Sequence, residues 1–375
     1  MSNAMRRSFD TLVRSFLRLN ETRNYWLFAL LLAPLLLAFV PPHGVLSTNE
    51  EHYIGMAMLF PSGVPSDPNS ALFGFMPHTF VFSSLTKSLV QLFGYEATQI
   101  IGRLLLVIAY SLALAKLFRT ISLPVIEAWI VLIVFFGVDQ HILGGEWLFG
   151  GYEPKTLAYP LVLFGVAFVL ERRVVLAVAL FAAATYCHFL VGGFWFAFGL
   201  LYLALNRVPF KTLLKMVALY VVLSAPVIYL VFAAHFDDLV GDVSGANYSA
   251  RWIYKYFSQP HHTAPFSSVW EFRKWAPGIF SLLAMLVICV GILRRRSSKQ
   301  EDLALFTAIP VSWLLIATCL TFIDREGYLA GFLMFRPSSV ALLLFLSQVA
   351  IYLRENTGFA LQSGRLAALI LVLAM

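Results

Sequence analysis

Long apolar runs separated by short polar segments dominate the chain, and their lengths predict membrane-spanning helices. A helix needs about 20 mostly apolar residues to cross the hydrocarbon core of a bilayer. The runs that approach this length are 25–41, 99–118, 124–138, 157–170, 174–190, 193–205, 213–233, 276–293, 303–322 and 337–353. An incomplete apolar run, 366–375, ends the sequence. The pattern therefore predicts an all-α polytopic membrane protein with about ten or eleven transmembrane helices.

The apolar runs follow one another without a composition change that would mark a domain boundary. We therefore expect a single transmembrane domain over 25–375, preceded by a cytoplasmic N-terminus at 1–24. The first four residues, Met-Ser-Asn-Ala, are interpreted as an expression remnant before a native start at Met5. Because the sequence is still apolar at Met375, we expect the natural chain to continue beyond it.

Two segments of the first long loop, 42–98, have the polar and apolar spacing of helices that lie in the membrane interface. The first, EEHYIGMAMLF at 50–60, starts polar and becomes apolar. The second contains MPHTFVFSSLTKSLVQLFG, and Gly94 predicts its C-terminal end. Its apolar residues recur at helical spacing, at Phe82, Leu85, Leu89 and Phe93. The sequence thus predicts two interfacial helices in this loop.

Composition agrees with a membrane protein, since 60% of the residues are hydrophobic, 13% are charged and the mean hydropathy is +0.79. The net charge of +7 could also indicate nucleic-acid binding. With the N-terminus in the cytoplasm, however, most Lys and Arg residues fall in the inner connections, as the positive-inside rule requires. The basic excess is therefore interpreted as an orienting and lipid-contacting feature. Membrane lipids are expected partners and nucleic acid is not.

Three loops are predicted on the extracytoplasmic side, at 42–98, 139–156 and 234–275. Function concentrates in loops that a rigid scaffold supports, so the chemistry is expected on that side. The sequence contains no P-loop, no G-x-G-x-x-G and no H-E-x-x-H motif. Its three cysteines lie in apolar runs at unrelated spacings, which predicts neither a disulfide framework nor a cysteine metal site.

A polar cluster after the first apolar run, NEEHY at Asn49–Tyr53, is followed by Met76-Pro77-His78, by Phe93-Gly94 and by Arg103. This order resembles the GT-C superfamily of polyprenyl-phosphate-dependent membrane glycosyltransferases, such as protein mannosyltransferases and lipid A aminoarabinose transferases. NEEHY is similar to the family motif Asp-Glu-x-(Arg/His)-(Tyr/Phe). The resemblance covers roughly residues 25–120. Two later segments, at 151–173 and 184–193, look like those of bacterial members with no assigned reaction.

The resemblance implies that a sugar is moved from a polyprenyl-phosphate carrier to an acceptor at the outer face of the bacterial inner (cytoplasmic) membrane. Such a reaction needs a carboxylate that accepts a proton or holds a metal, and cations that stabilise the departing phosphate. Glu50 and Glu51 are the candidate catalytic residues, with Glu50 preferred; a divalent metal ion at Glu50 is a further option. The family's first acid is Asn49 here. An amide cannot act as a base, so the chemistry would depend on Glu50 or Glu51.

The candidate substrate-binding residues are polar or ionisable groups beside apolar runs. They are His52, Tyr53, His78, Arg103, Glu153, Lys155, His188 and Arg336. Lys155 opens a predicted span, where it could bind a lipid phosphate or simply reach toward headgroups. Arg336 lies in an apolar setting, where an unpaired charge is costly, so a phosphate or a loop carboxylate is the expected partner. The neighbouring His261 and His262 are weak evidence for zinc, because adjacent side chains seldom share one ion.

Two alternatives to the transferase are kept. A transporter or flippase for a lipid-linked substrate would place carboxylates or broken helices near the bilayer midplane, whereas most acids here fall at the outer boundary. A non-catalytic relative that binds lipid carriers is the second alternative, because Asn49 replaces the family acid.

Overall fold

The computed structural model describes residues 24–40, 48–59, 79–238, 249–258, 260–264, 272–294 and 298–357, and its regular elements are all helical. The first part of the chain forms α1 (Tyr25–Ala38), α2 (Thr48–Leu59), α3 (Phe80–Phe93), α4 (Tyr95–Thr120), α5 (Val125–Gly137), α6 (Pro154–Leu170), α7 (Val174–Cys187) and α8 (Phe189–Leu205). The second part forms α9 (Phe210–Asp238), α10 (Ala250–Ile253), a π-helical turn (Tyr254–Ser258), α11 (Pro260–Thr263), α12 (Phe272–Arg294), α13 (Ser298–Ile323), a 3-10 turn (Ala330–Phe332) and α14 (Ser338–Thr357). The all-α prediction is confirmed for these residues.

Five of these helices, α4, α9, α12, α13 and α14, are long and apolar enough to cross a membrane. The protein is therefore a membrane protein, as the apolar runs predict. The other predicted spans within the described residues are also helices, namely α1 and α5 to α8. Their lengths of 13 to 17 residues are shorter than a full crossing requires. The apolar run 366–375 lies outside the described residues.

The α3 helix ends at Phe93, where Gly94 takes a φ of 79°, so the predicted C-terminal end is confirmed. The buried face of α3 differs from the predicted apolar face: it is formed by Phe82, Ser83, Thr86 and Val90. Two of the predicted apolar residues, Leu85 and Phe93, are exposed. A helix beside a bilayer can direct apolar side chains away from the protein, because lipid offers them an apolar surrounding.

The core of the bundle is built by α6, α7 and α8 packed with α4 and α1. The α7 helix ends at Cys187 and α8 begins at Phe189, so a single extended residue, His188, separates them. Close contact between the two helices depends on Gly192, where a Cβ atom would lie 2.3 Å from the backbone nitrogen of Thr185. The absence of a side chain at Gly192 therefore fixes how α7 and α8 cross.

Polar contacts separate into two ends of the bundle. At one end, Lys116 pairs with Glu171, Arg172 lies 3.2 Å from Asp302, and Arg354 donates to the carbonyl of Ser122. The opposite end contains residues 139–153, the N-terminus of α6, the segments 249–258 and 260–264, and the start of α14. This second end, called the site end below, gathers most of the predicted functional residues.

Gly192→Ala is expected to destabilise the protein, because its methyl group would collide with backbone atoms that cannot move aside. Overpacking of this kind costs about 1–3 kcal/mol. The adjacent Gly193→Ala is the matched control, since a Cβ there would lie 3.8 Å from the Tyr220 hydroxyl oxygen, an ordinary van der Waals contact. Thermal unfolding in detergent should show a lower midpoint for Gly192→Ala only. Equal midpoints for the two variants would show that the crossing tolerates a larger separation.

Candidate functional site

Glu50 lies at the first turn of α2 and is fully buried in an ion pair with Arg103 of α4. Arg103 contacts both carboxylate oxygens, with Nε 2.8 Å from Oε1 and Nη2 2.5 Å from Oε2. The side-chain amide of Gln99 donates to Oε2 at 2.9 Å, and the backbone N–H of Tyr152 donates to Oε1 at 2.6 Å. A two-pronged Arg–carboxylate contact is among the strongest in proteins. It ties α2 to α4 and to the loop before α6.

Two glycines allow this close contact. A Cβ atom at Gly151 would lie 2.7 Å from Cγ of Glu50, and one at Gly102 would lie 2.4 Å from the ring of Tyr152. Any larger residue at either position would push the loop away from α2 and α4. Glycine at both positions, which has no side chain, therefore permits the Glu50–Arg103 ion pair.

The contacts of Glu50 affect its predicted role, with Glu51, as a catalytic residue. Glu50 accepts four hydrogen bonds, each made to its ionised form, so a proton on it would displace at least one donor. Glu51 and His52 are exposed on the other side of α2. The catalytic role of Glu50 or Glu51 stays a prediction. The geometry favours Glu50 and Arg103 as residues that hold α2 in place.

A second set of charged side chains lies at the site end and is called the Glu146 cluster. It consists of Glu146, Glu153, Lys155, His262 and Arg336, and all five side chains are buried. Oε2 of Glu146 accepts from Nη1 of Arg336 at 2.7 Å and lies 3.5 Å from Nζ of Lys155. Oε1 of Glu146 lies 3.2 Å from Nδ1 of His262. Lys155 is also 3.9 Å from Glu153.

The loop that carries Glu146 is fastened to the start of α14. Ser338 accepts from the backbone N–H groups of Ile142 and Leu143 at 2.8 and 3.1 Å, and Ser339 donates to the carbonyl of Glu146 at 2.9 Å. Because only Pro337 separates Arg336 from these serines, the same backbone contacts that anchor the loop also bring Arg336 to Glu146.

Two further contacts position the cations of the cluster. The Tyr159 hydroxyl donates to the carbonyl of Arg336 at 2.9 Å, which fixes the backbone from which that side chain extends. Nζ of Lys155 lies 3.3 Å from the centre of the Trp147 ring, a cation–π contact. Lys155 is therefore held between an aromatic face and two carboxylates.

The pKa values of Glu146 and Glu153 are shifted in opposite directions. Burial by itself would raise the pKa of Glu146, but Arg336, Lys155 and His262 hold it well below its usual range. Burial raises the pKa of Glu153, and the opposing effects of Lys155 and Arg336 do not fully offset it. Glu146 is thus a fixed anion, whereas Glu153 lies nearer the range of a general base.

The side chain of Asn49 lies close enough to Glu153 to lower the pKa of its carboxyl. The amide can donate to the carboxylate, whereas an Asp at this position would place two carboxylates against each other. Asn49 therefore avoids the repulsion that an Asp at position 49 would have with Glu153.

Three polar atoms of the cluster lack hydrogen-bond partners although they are buried. They are Nε of Arg336, Oε2 of Glu153 and Oε1 of Glu146. A buried donor or acceptor without a partner costs about 1–3 kcal/mol, and more when the group is charged. An anion bound beside Arg336 would satisfy its Nε–H, and a hydroxyl beside Glu153 could donate to Oε2.

Other predicted residues lie near this cluster or outside the described part of the chain. Tyr53 is half-buried on α2; burial raises its pKa and the nearby Arg336 lowers it. His188 is buried at the N-cap of α8, where Nδ1 accepts from the Val191 N–H at 3.5 Å. His78 lies outside the described residues. Among those that are described, no group of three His, Cys, Asp or Glu side chains could hold a metal ion.

The sequence did not single out Glu146 or His262 as site residues. His262 entered the prediction only as a member of the His261–His262 pair, which is weak evidence for zinc. The available signal was the charge balance: Arg336 and Lys155 in apolar settings each require an anionic partner.

Comparison of the chain with protein-family models, with curated proteins and with solved structures gave no match. The class of protein is therefore defined by the structure alone. The described residues define an all-helical membrane protein with a buried ionic cluster at one end of its bundle.

Arg103→Met is expected to destabilise the protein by about 3–5 kcal/mol, because it leaves the Glu50 carboxylate buried without its cation. Adding Glu50→Gln to that variant should restore most of the loss, since the amide carries no charge. Exposed Glu51→Gln is the control and should leave the unfolding midpoint unchanged. Thermal unfolding in detergent checks all three. A double variant no more stable than Arg103→Met would argue against the ion pair as the cause.

Proposed function

We propose that the protein is a GT-C-like glycosyltransferase. It moves a sugar from a polyprenyl-phosphate carrier to an acceptor hydroxyl at the outer face of the bacterial inner membrane, with its N-terminus in the cytoplasm. The observation that carries this proposal is the buried Arg336, whose Nε–H has no partner inside a cluster that also contains Lys155. The order of motifs in residues 25–120 supports the same family.

Lys155 and Arg336 are the proposed phosphate-binding residues. Both are buried cations at one end of a bundle of apolar helices, where a lipid phosphate can meet them while its prenyl chain stays among apolar side chains. Cations aimed at a departing phosphate stabilise the charge that develops there. Arg336 retains Nε–H for the ligand while Nη1 is bound to Glu146.

Glu153 is the proposed proton acceptor. Its pKa is raised by burial, and its Oε2 has no hydrogen bond, whereas Glu50 accepts four. In the proposed step the acceptor oxygen forms a bond to the anomeric carbon of the sugar. The bond from that carbon to the phosphate oxygen breaks, its electron pair leaves with the phosphate, and the acceptor proton passes to Glu153.

Glu153→Gln is expected to lower turnover about 10²–10⁴-fold, the usual contribution of a general base. The assay follows sugar transfer from polyprenyl-phosphate sugars to membrane acceptors by purified protein. Glu51→Gln is the matched control, because Glu51 is a carboxylate exposed on α2. It should retain full turnover.

Transfer that persists at the same rate in Glu153→Gln would remove Glu153 from the reaction. Binding of the carrier with no transfer to any acceptor would contradict the transferase and favour a lipid-linked-substrate transporter or a non-catalytic carrier-binding protein.

A further inference from the structure

His262 lies between two oxygen atoms, and this fixes where its ring proton sits. Its Nδ1 is hydrogen-bonded to the carbonyl oxygen of Gly144 and lies 3.2 Å from Oε1 of Glu146. A carbonyl oxygen and an ionised carboxylate only accept hydrogen bonds. Nδ1 must therefore carry the hydrogen, and Nε2 is the nitrogen that can take up a second proton.

The positive and negative charges of the Glu146 cluster balance each other, so no positive charge is left over to neutralise a bound anion. Two cations, Lys155 and Arg336, face two carboxyl groups, Glu146 and Glu153. A phosphodiester would add a negative charge to side chains that are all buried. Unbalanced charge in a buried site is costly unless another group compensates for it.

His262 can supply the compensating charge. Burial, opposed by Glu146 and reinforced by Arg336, His261 and Lys155, lowers the pKa of His262 to about 3. Its imidazole is therefore neutral in the unliganded cluster. An anion on Arg336 and Lys155 would offset the two positive charges that keep a proton away. Oε1 of Glu146, which has no hydrogen bond, would gain from an imidazolium beside it.

We propose that binding of a phosphodiester to Arg336 and Lys155 is coupled to the uptake of one proton by His262. The choice of a polyprenyl phosphodiester as the ligand rests on the proposed function, although a phospholipid headgroup has the same charged group. The coupling makes the site neutral overall before and after the ligand binds.

The sign of the resulting pH dependence follows from linkage. Ligand binding raises the pKa of His262, so affinity falls as pH rises from the pKa of the free state to that of the bound state, and it is constant above the latter. One coupled proton changes the dissociation constant by at most about tenfold per pH unit.

Isothermal titration calorimetry of the full-length protein in detergent tests the coupling. The probe is methyl farnesyl phosphate, a phosphodiester whose charge does not change near neutral pH. Titrations in buffers of different ionisation enthalpy, at about pH 6 and about pH 8, measure the protons taken up on binding. We expect about one proton per ligand and tighter binding at the lower pH.

His262→Asn is the decisive variant, because its amide N–H can replace Nδ1–H toward Gly144 but cannot take up a proton. It should bind the probe with no proton uptake and no pH dependence, at an unchanged unfolding midpoint. His141→Asn is the control: His141 contacts the Asp139 carbonyl outside the cluster and should leave the coupling intact.

The other outcomes separate this inference from the proposed function. Wild-type binding without proton uptake overturns the coupling and leaves the function standing. Uptake that survives in His262→Asn but disappears in His261→Asn overturns the assignment to His262. No binding at all overturns both. Equal competition by phosphatidylglycerol, with proton uptake retained, supports the coupling and contradicts a site selective for polyprenyl carriers.

Discussion

The ion pair between Glu146 and Arg336 is the interaction on which the site end of the molecule depends. It joins residues 190 positions apart, and both side chains are buried. Removing two charges from water costs several kcal/mol per ion, and their attraction offsets this only when further hydrogen bonds support the pair. Ser338, Ser339 and Tyr159 supply that support through the backbone on either side. The arrangement is rigid, yet Nε of Arg336 still has no partner.

Sequence reasoning predicted the parts of the fold that depend on local pattern. Apolar runs located the helices, and Gly94 located the end of α3. Arg336 was singled out because a charge in an apolar setting requires a partner, and Lys155 because it opens a predicted span. Their partner, Glu146, could not be identified, since nothing in a sequence relates a loop acid to an arginine 190 residues later. The burial of Glu50 could not be predicted from the sequence for the same reason.

The two acidic sites illustrate how similar residues acquire different properties from their surroundings. Glu50 is surrounded by donors that hold it ionised and fixed, whereas Glu153 is buried with one oxygen that accepts no hydrogen bond. Asn49 connects them, since it lies next to Glu50 in the chain and its side chain lowers the pKa of Glu153. The acidic motif after the first helix and the glycine-rich loop before α6 therefore form one continuous polar region.

The central claim is that Arg336 and Lys155 bind the phosphate of a lipid carrier. A cryo-electron microscopy structure of the protein with a polyprenyl phosphodiester tests it most directly. The account predicts a phosphate within hydrogen-bond distance of Nε of Arg336 and Nζ of Lys155, with the prenyl chain among apolar helices. A ligand bound elsewhere, for example near Arg172 at the end of the bundle opposite the site end, with the Glu146 cluster unchanged, would contradict it.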